Sequence, residues 1–217
     1  MKSNLAANLG RAVRPISILR QRNFGLIWSA ITISQMGSQM EMIVVVWYVL
    51  NRTDSPFLVG LTASARMGFN FLALFAGATA DLVPRRTLMI IIQAVLAFLA
   101  LVMLVLIVSG QIEVWHIFIV TLAAGLARIF QMPTAQSLAV DSVPTDRIPN
   151  AVALISAGGN IALVIGPILG GLLFEIFGPE GAYVLVASLY IASGSAAMLM
   201  GSTRTSEAQK GESVFTL

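Results

Sequence analysis

Apolar residues run through this chain in long blocks separated by short polar breaks. Six blocks have about the 20 residues that a bilayer requires: 23–50, 57–80, 87–109, 114–135, 150–177 and 182–201. The breaks carry turn chemistry. Thr53-Asp54-Ser55-Pro56 is a polar turn, Pro84-Arg85-Arg86 a charged one, and Ser109-Gly110 and Gly178-Pro179 punctuate further on. Pro144 to Pro149 forms a longer polar loop. The pattern predicts an all-α polytopic membrane protein with six transmembrane helices in residues 23–201.

Composition agrees. Of 217 residues, 57% are hydrophobic and 11% charged, against about 25% charged in soluble domains. Mean hydropathy is +0.87. The absence of cysteine excludes disulfides and thiolate chemistry, and one histidine, His116, cannot form a histidine metal cluster. No serine–histidine–acid set or phosphate-cradling glycine loop is present; Gly158-Gly159 lies inside a span and follows no strand. The chain is therefore expected to be no enzyme, to need no cofactor and to bind no nucleic acid.

Basic residues favour the cytoplasmic side of a membrane. Lys2, Arg11, Arg14, Arg20 and Arg22 precede the first block, Arg85 and Arg86 follow the second, Arg147 follows the fourth, and Arg204 and Lys210 follow the sixth. The opposite turns hold Arg52 against Asp54, Glu113 and Glu180. Both termini are thus expected in the cytoplasm, and the chain in a plasma membrane, of the bacterial inner type. Residues 1–22 read as a basic segment, either a surface-lying amphipathic helix or a disordered tail. Residues 202–217 read as a cytoplasmic tail or the start of a central linker. Trp28, Trp47 and Trp115 lie near block ends and read as interfacial anchors.

Charges inside the blocks carry the candidate chemistry, since ionisable groups in hydrocarbon are costly and mark substrate or proton pathways. Glu41 and Arg66 flank the 51–56 turn at similar distances, which places both roughly 13 Å below one membrane surface at ~1.5 Å per residue. Ser34, Gly37 and Ser38 share the Glu41 face, a polar stripe suited to lining a cavity. Arg66 shares a face with Asn70, Leu74, Gly77 and Asp81. It either forms a structural ion pair with Glu41 or orients a substrate. Arg128, in the fourth block, either snorkels to the cytoplasmic surface or acts as a gate partner for Asp141 or Asp81.

Gly77-Ala78-Thr79-Ala80-Asp81-Leu82-Val83-Pro84-Arg85-Arg86 resembles the loop signature of the major facilitator superfamily, with Pro84 where that family usually has glycine. Gly166-Pro167-Ile168-Leu169-Gly170-Gly171 resembles the glycine-proline motif of its exporters, with Ala162 at the position of the motif's first glycine. Gly125 through Pro133, Asp141, Val143-Pro144, Arg147 and Asn150-Ala151, together with Thr53-Asp54-Ser55-Pro56, look like the branch containing macrolide-efflux and enterobactin-export proteins. The resemblance covers about residues 20 to 200.

It implies an N-terminal six-helix bundle, one half of a transporter whose two halves enclose a central cavity and rock to alternate access. It implies proton-coupled export of a small hydrophobic or amphipathic molecule, of antibiotic or siderophore type. Glu41, Arg66, Asn70, Ser38 and Arg128 would line the substrate and proton pathway. Gly77, Asp81, Arg85 and Arg86 would form a conformational loop. Gly159, Gly166, Pro167, Gly170 and Gly171 would supply a tight helix contact, with Pro167 able to kink its helix. The expected partners are the substrate, protons, the lipid bilayer and a second six-span half, in cis or in trans. The alternative is a half-length membrane protein that does not transport but associates with another transporter half.

Overall fold

The computed structural model describes residues 18–68 and 84–201. Among these the elements are helical: α1 (Arg22–Thr53), α2 (Pro56–Met67), α3 (Arg85–Val108), α4 (Val114–Asp141), a 3-10 turn (Thr145–Arg147) and α5 (Ile148–Met198). The boundaries follow local chemistry. Asp54 ends α1 in the left-handed conformation, with φ 48°, and its N–H bonds back to Leu50. Ser55 then caps α2, accepting from the Leu58 N–H, with Pro56 in the first turn, where its missing N–H has no consequence. Glu113 and the His116 side chain form a reciprocal capping box that opens α4.

α5 has 51 residues, about 76 Å if straight, far longer than a hydrocarbon core. Gly178, with φ 70° and ψ −176°, breaks it into two limbs. Pro167 lies inside the first limb, and Gly178 is the non-helical position within α5. The first limb runs parallel to α1: Gly158 meets Thr32, Gly166 meets Met36, and Gly170 meets Met40. The second runs antiparallel: Tyr190 lies on Gly37, Ser193 bonds the Ala30 carbonyl, and Gly201 bonds Asn23. α1 is therefore clasped by both limbs. α3 packs antiparallel to the second limb, with Arg86 donating to the Met198 carbonyl at the helix's C-terminal end, where a cation is favoured.

Among the described residues three helical segments are long and apolar enough to cross a membrane: 85–108, 114–141 and 145–198. α1 falls outside that set because Ser34, Gln35, Ser38, Gln39 and Glu41 interrupt its apolar run. Buried apolar side chains form the core, among them Phe24, Ile31, Met40, Leu96 and Tyr183. Phe98, Val105, Leu163, Ile168 and Phe177 lie exposed on the outside, an apolar surface too extensive for a water-facing monomer. The arrangement is that of a multi-pass membrane protein. Trp28, expected as an interfacial anchor by its place near a span end, donates instead to the Leu154 carbonyl at 2.8 Å.

The packing ridge of the first limb differs from expectation. Gly158, Ala162, Gly166 and Gly170 are buried, each four residues from the next, so they form one continuous i+4 row. Gly159 lies one residue round the helix. A β-carbon added at Gly159 or at Gly171 would meet nothing within 4 Å. At Gly170 a β-carbon would sit 3.0 Å from the Met40 Cα and carbonyl oxygen. Backbone cannot give way, so Gly170→Val should lower stability by about 1–3 kcal/mol. Gly159→Ala should leave the unfolding midpoint unchanged, both read by thermal denaturation in detergent.

Candidate functional site

α1 presents its polar stripe inward. Ser34, Gly37, Ser38 and Glu41 are all buried, the last only 4% exposed. Within the bundle the stripe meets a different helix at almost every turn.

At one level Ser34 Oγ donates to Gln93 of α3 at 2.9 Å and accepts from Gln131 Nε2 of α4 at 2.7 Å. Gln93 Nε2 approaches the Met89 sulfur at 3.7 Å. A step along α1, Ser38 offers its carbonyl and hydroxyl oxygens to Arg66 Nη2 of α2, at 2.8 and 2.6 Å. At the next level Glu41 Oε2 accepts from Arg128 Nη2 of α4 and from the Tyr190 hydroxyl of α5 at 2.9 Å. Arg128 Nη2 also donates to the Tyr190 oxygen at 2.9 Å. Two donors from two helices thus converge on one carboxylate oxygen.

Of the two roles open to Arg66, the structure does not form the ion pair with Glu41. Glu41 takes Arg128 as its ion-pair partner, and Arg66 binds neutral oxygens of Ser38. Arg128 does not snorkel: its side chain is 13% exposed and turned into the bundle. Nor can it gate through Asp141, which lies 13 residues further on the same helix, about 20 Å away. Arg85 Nη1 engages Asp141 Oδ2 at 2.7 Å instead, linking the start of α3 to the end of α4. Arg86 reaches Met198. Asn70, Gly77 and Asp81 lie outside the described residues. Gly166 and Gly170 sit on α1, whereas Gly159, Pro167 and Gly171 lie off the contact row.

Gln93, Gln131 and Tyr190 were not singled out by sequence reasoning. A signal existed for the first: Gln93 is the lone amide in the apolar run from Leu88 to Val108. Tyr190 had none, since a tyrosine in an apolar helix reads as packing. Among the described residues no cluster of His, Asp and Glu is placed to hold a metal ion.

A polar strut inside an apolar bundle is what a membrane transporter needs, and the comparison with known families agrees. Residues 13–215 match the family described as transmembrane secretion effector, a major facilitator group. The chain belongs to that family. No curated protein matches it. The protein is a membrane transporter of the major facilitator type, and a transporter of this type binds a small-molecule substrate.

Removing Arg128 would leave the Glu41 carboxylate buried without its charge partner. Arg128→Leu should therefore destabilise the bundle by about 3–5 kcal/mol. Glu41→Gln combined with Arg128→Leu should recover part of that loss. A double-mutant cycle on detergent-solubilised protein measures the coupling, and additive effects would count against the pairing.

Proposed function

We propose that the chain forms one six-span half of a secondary transporter that exports a small hydrophobic or amphipathic molecule in exchange for protons. The supporting observation is the buried Glu41–Arg128–Tyr190 cluster. A transporter that couples to protons needs a carboxylate that is ionised in one state and neutral in another. Glu41 accepts from two donors, both on helices other than its own. Any rocking that separates α4 or the second limb of α5 from α1 strips those donors from the carboxyl group. Proton uptake and helix movement are then two readings of one event.

Of the six spans read from the sequence, α1, α3, α4 and the two limbs of α5 correspond to five, and α2 is the described part of the other. The second half, in cis or in trans, closes the pathway. The Arg85–Asp141 pair, on the side read as cytoplasmic, is suited to hold one conformation by joining helix ends that separate when the halves rock. Orientation with both termini in the cytoplasm follows the basic-residue bias, and the plasma membrane is the proposed location. No chemical conversion of substrate is part of this function.

Inside-out vesicles containing the protein with its second half, and a trapped pH dye, test the coupling. Candidate amphipathic compounds should drive proton movement through wild type. Glu41→Gln should abolish that movement while leaving gradient-independent exchange of substrate. Unchanged proton movement in Glu41→Gln would sink the role given to this carboxylate.

A further inference from the structure

Among the described residues, Glu41, Arg66 and Arg128 are the charged side chains that meet on the inward stripe of α1. The sum is one negative charge against two positive. Glu41 is engaged by Arg128, and among the described residues Arg66 contacts only the uncharged oxygens of Ser38. One carboxylate thus serves two guanidinium groups, and charges held inside a membrane bundle mark substrate or ion pathways.

Three further observations point the same way. Arg128 Nε and Nη1 are buried and have no acceptor among the described residues. The Tyr183 hydroxyl is likewise buried without a partner there, seven residues before Tyr190 and so on the same helix face. The two guanidinium groups are neighbours by construction. The Arg66 carbonyl packs on Gly125, one turn before Arg128, and the two groups reach α1 at Ser38 and Glu41, about 4.5 Å apart along its axis.

We propose that Arg66 and Arg128 together bind the anionic head of the transported molecule, a carboxylate, sulfonate or phosphate on an apolar body. This rests on the transport reading above and names the substrate class for that same site. In the state described here Glu41 occupies Arg128 as an internal substitute for the ligand. A proton on Glu41 cancels that competitor, frees Arg128 Nη2 and leaves two guanidinium groups for one ligand anion. Loss of the proton restores the internal pair and expels the ligand. The groups that face Glu41 are Arg128 from α4, Tyr190 and Tyr183 from α5 and Arg66 from α2. α3 contributes the uncharged Gln93, about two turns away on the Ser34 level. Binding of an anion should therefore tighten as pH falls.

The test is calorimetric titration of the purified full chain in a neutral detergent, with empty micelles as the blank. The probes are 1-naphthoate and 1-naphthylmethylammonium, which match in shape and differ in charge. The expected result is saturable naphthoate binding, tighter at about pH 5 than at about pH 8. Arg66→Gln should weaken it by about tenfold or more, the scale of a lost charge-assisted hydrogen bond. Arg66→Lys, which keeps the charge, should retain the preference for the anion. Glu41→Gln should bind naphthoate tightly at both pH values.

Tighter binding of the ammonium probe, or naphthoate binding indifferent to Arg66→Gln, overturns the inference. So does Arg66-dependent binding of phosphatidylglycerol without any of naphthoate, which would make this a lipid site. If naphthoate fails to bind while protons still move in the vesicle assay, the anion site falls and the transport reading stands. If naphthoate binds through Arg66 but no proton moves, the anion site stands and the coupling falls.

Discussion

A carboxylate and a guanidinium carried into the interior of an apolar bundle must find each other, because neither can be hydrated there. Glu41 and Arg128 meet that requirement across 87 positions of sequence. Their meeting dictates much of the rest: α1 must lie in the middle, α4 must face it, and the second limb of α5 must bring Tyr190 within reach. The Ser34–Gln93–Gln131 and Ser38–Arg66 contacts repeat the same logic at neighbouring turns of α1. A helix too polar to stand out as a span is thereby the strut against which four others are held.

Two kinds of contact share that strut. On one side, small residues of the first limb of α5 bring backbone against backbone, giving close packing without polar groups. On the other, polar side chains bind α2, α3, α4 and the second limb through directed hydrogen bonds. The first kind is rigid, because at Gly170 any side chain would strike the Met40 backbone. The second kind is directional, and between Glu41 and Arg128 it carries charge.

Much of the local architecture was legible in the sequence. The Thr53–Pro56 turn, the starts of α3 and α4 and the break at Gly178 all follow from residues within a few positions, through caps, proline and positive φ. The inward stripe of Ser34, Ser38 and Glu41 was legible too, since helical periodicity alone puts these residues on one face. The partner of Glu41 was not. Arg66 and Arg128 both reach α1 within one turn, and hairpin depth alone favours Arg66. Choosing between them needs the rotation of α2 and α4 about their own axes, which no spacing rule supplies.

The same limit explains the glycine row. Gly158 and Gly159 are adjacent, and one residue turns a helix by about 100°. Which of them meets Thr32 depends on how α5 is rotated against α1. The chain by itself determined the family, the membrane class, most helix ends and the residues that carry charge into the bundle, because these rest on composition and local backbone chemistry. Only the tertiary structure decided that Arg128 rather than Arg66 neutralises Glu41, that Tyr190 joins them, and that Arg66 is left with neutral oxygens, because partners in a bundle are assigned by helix rotation and depth together.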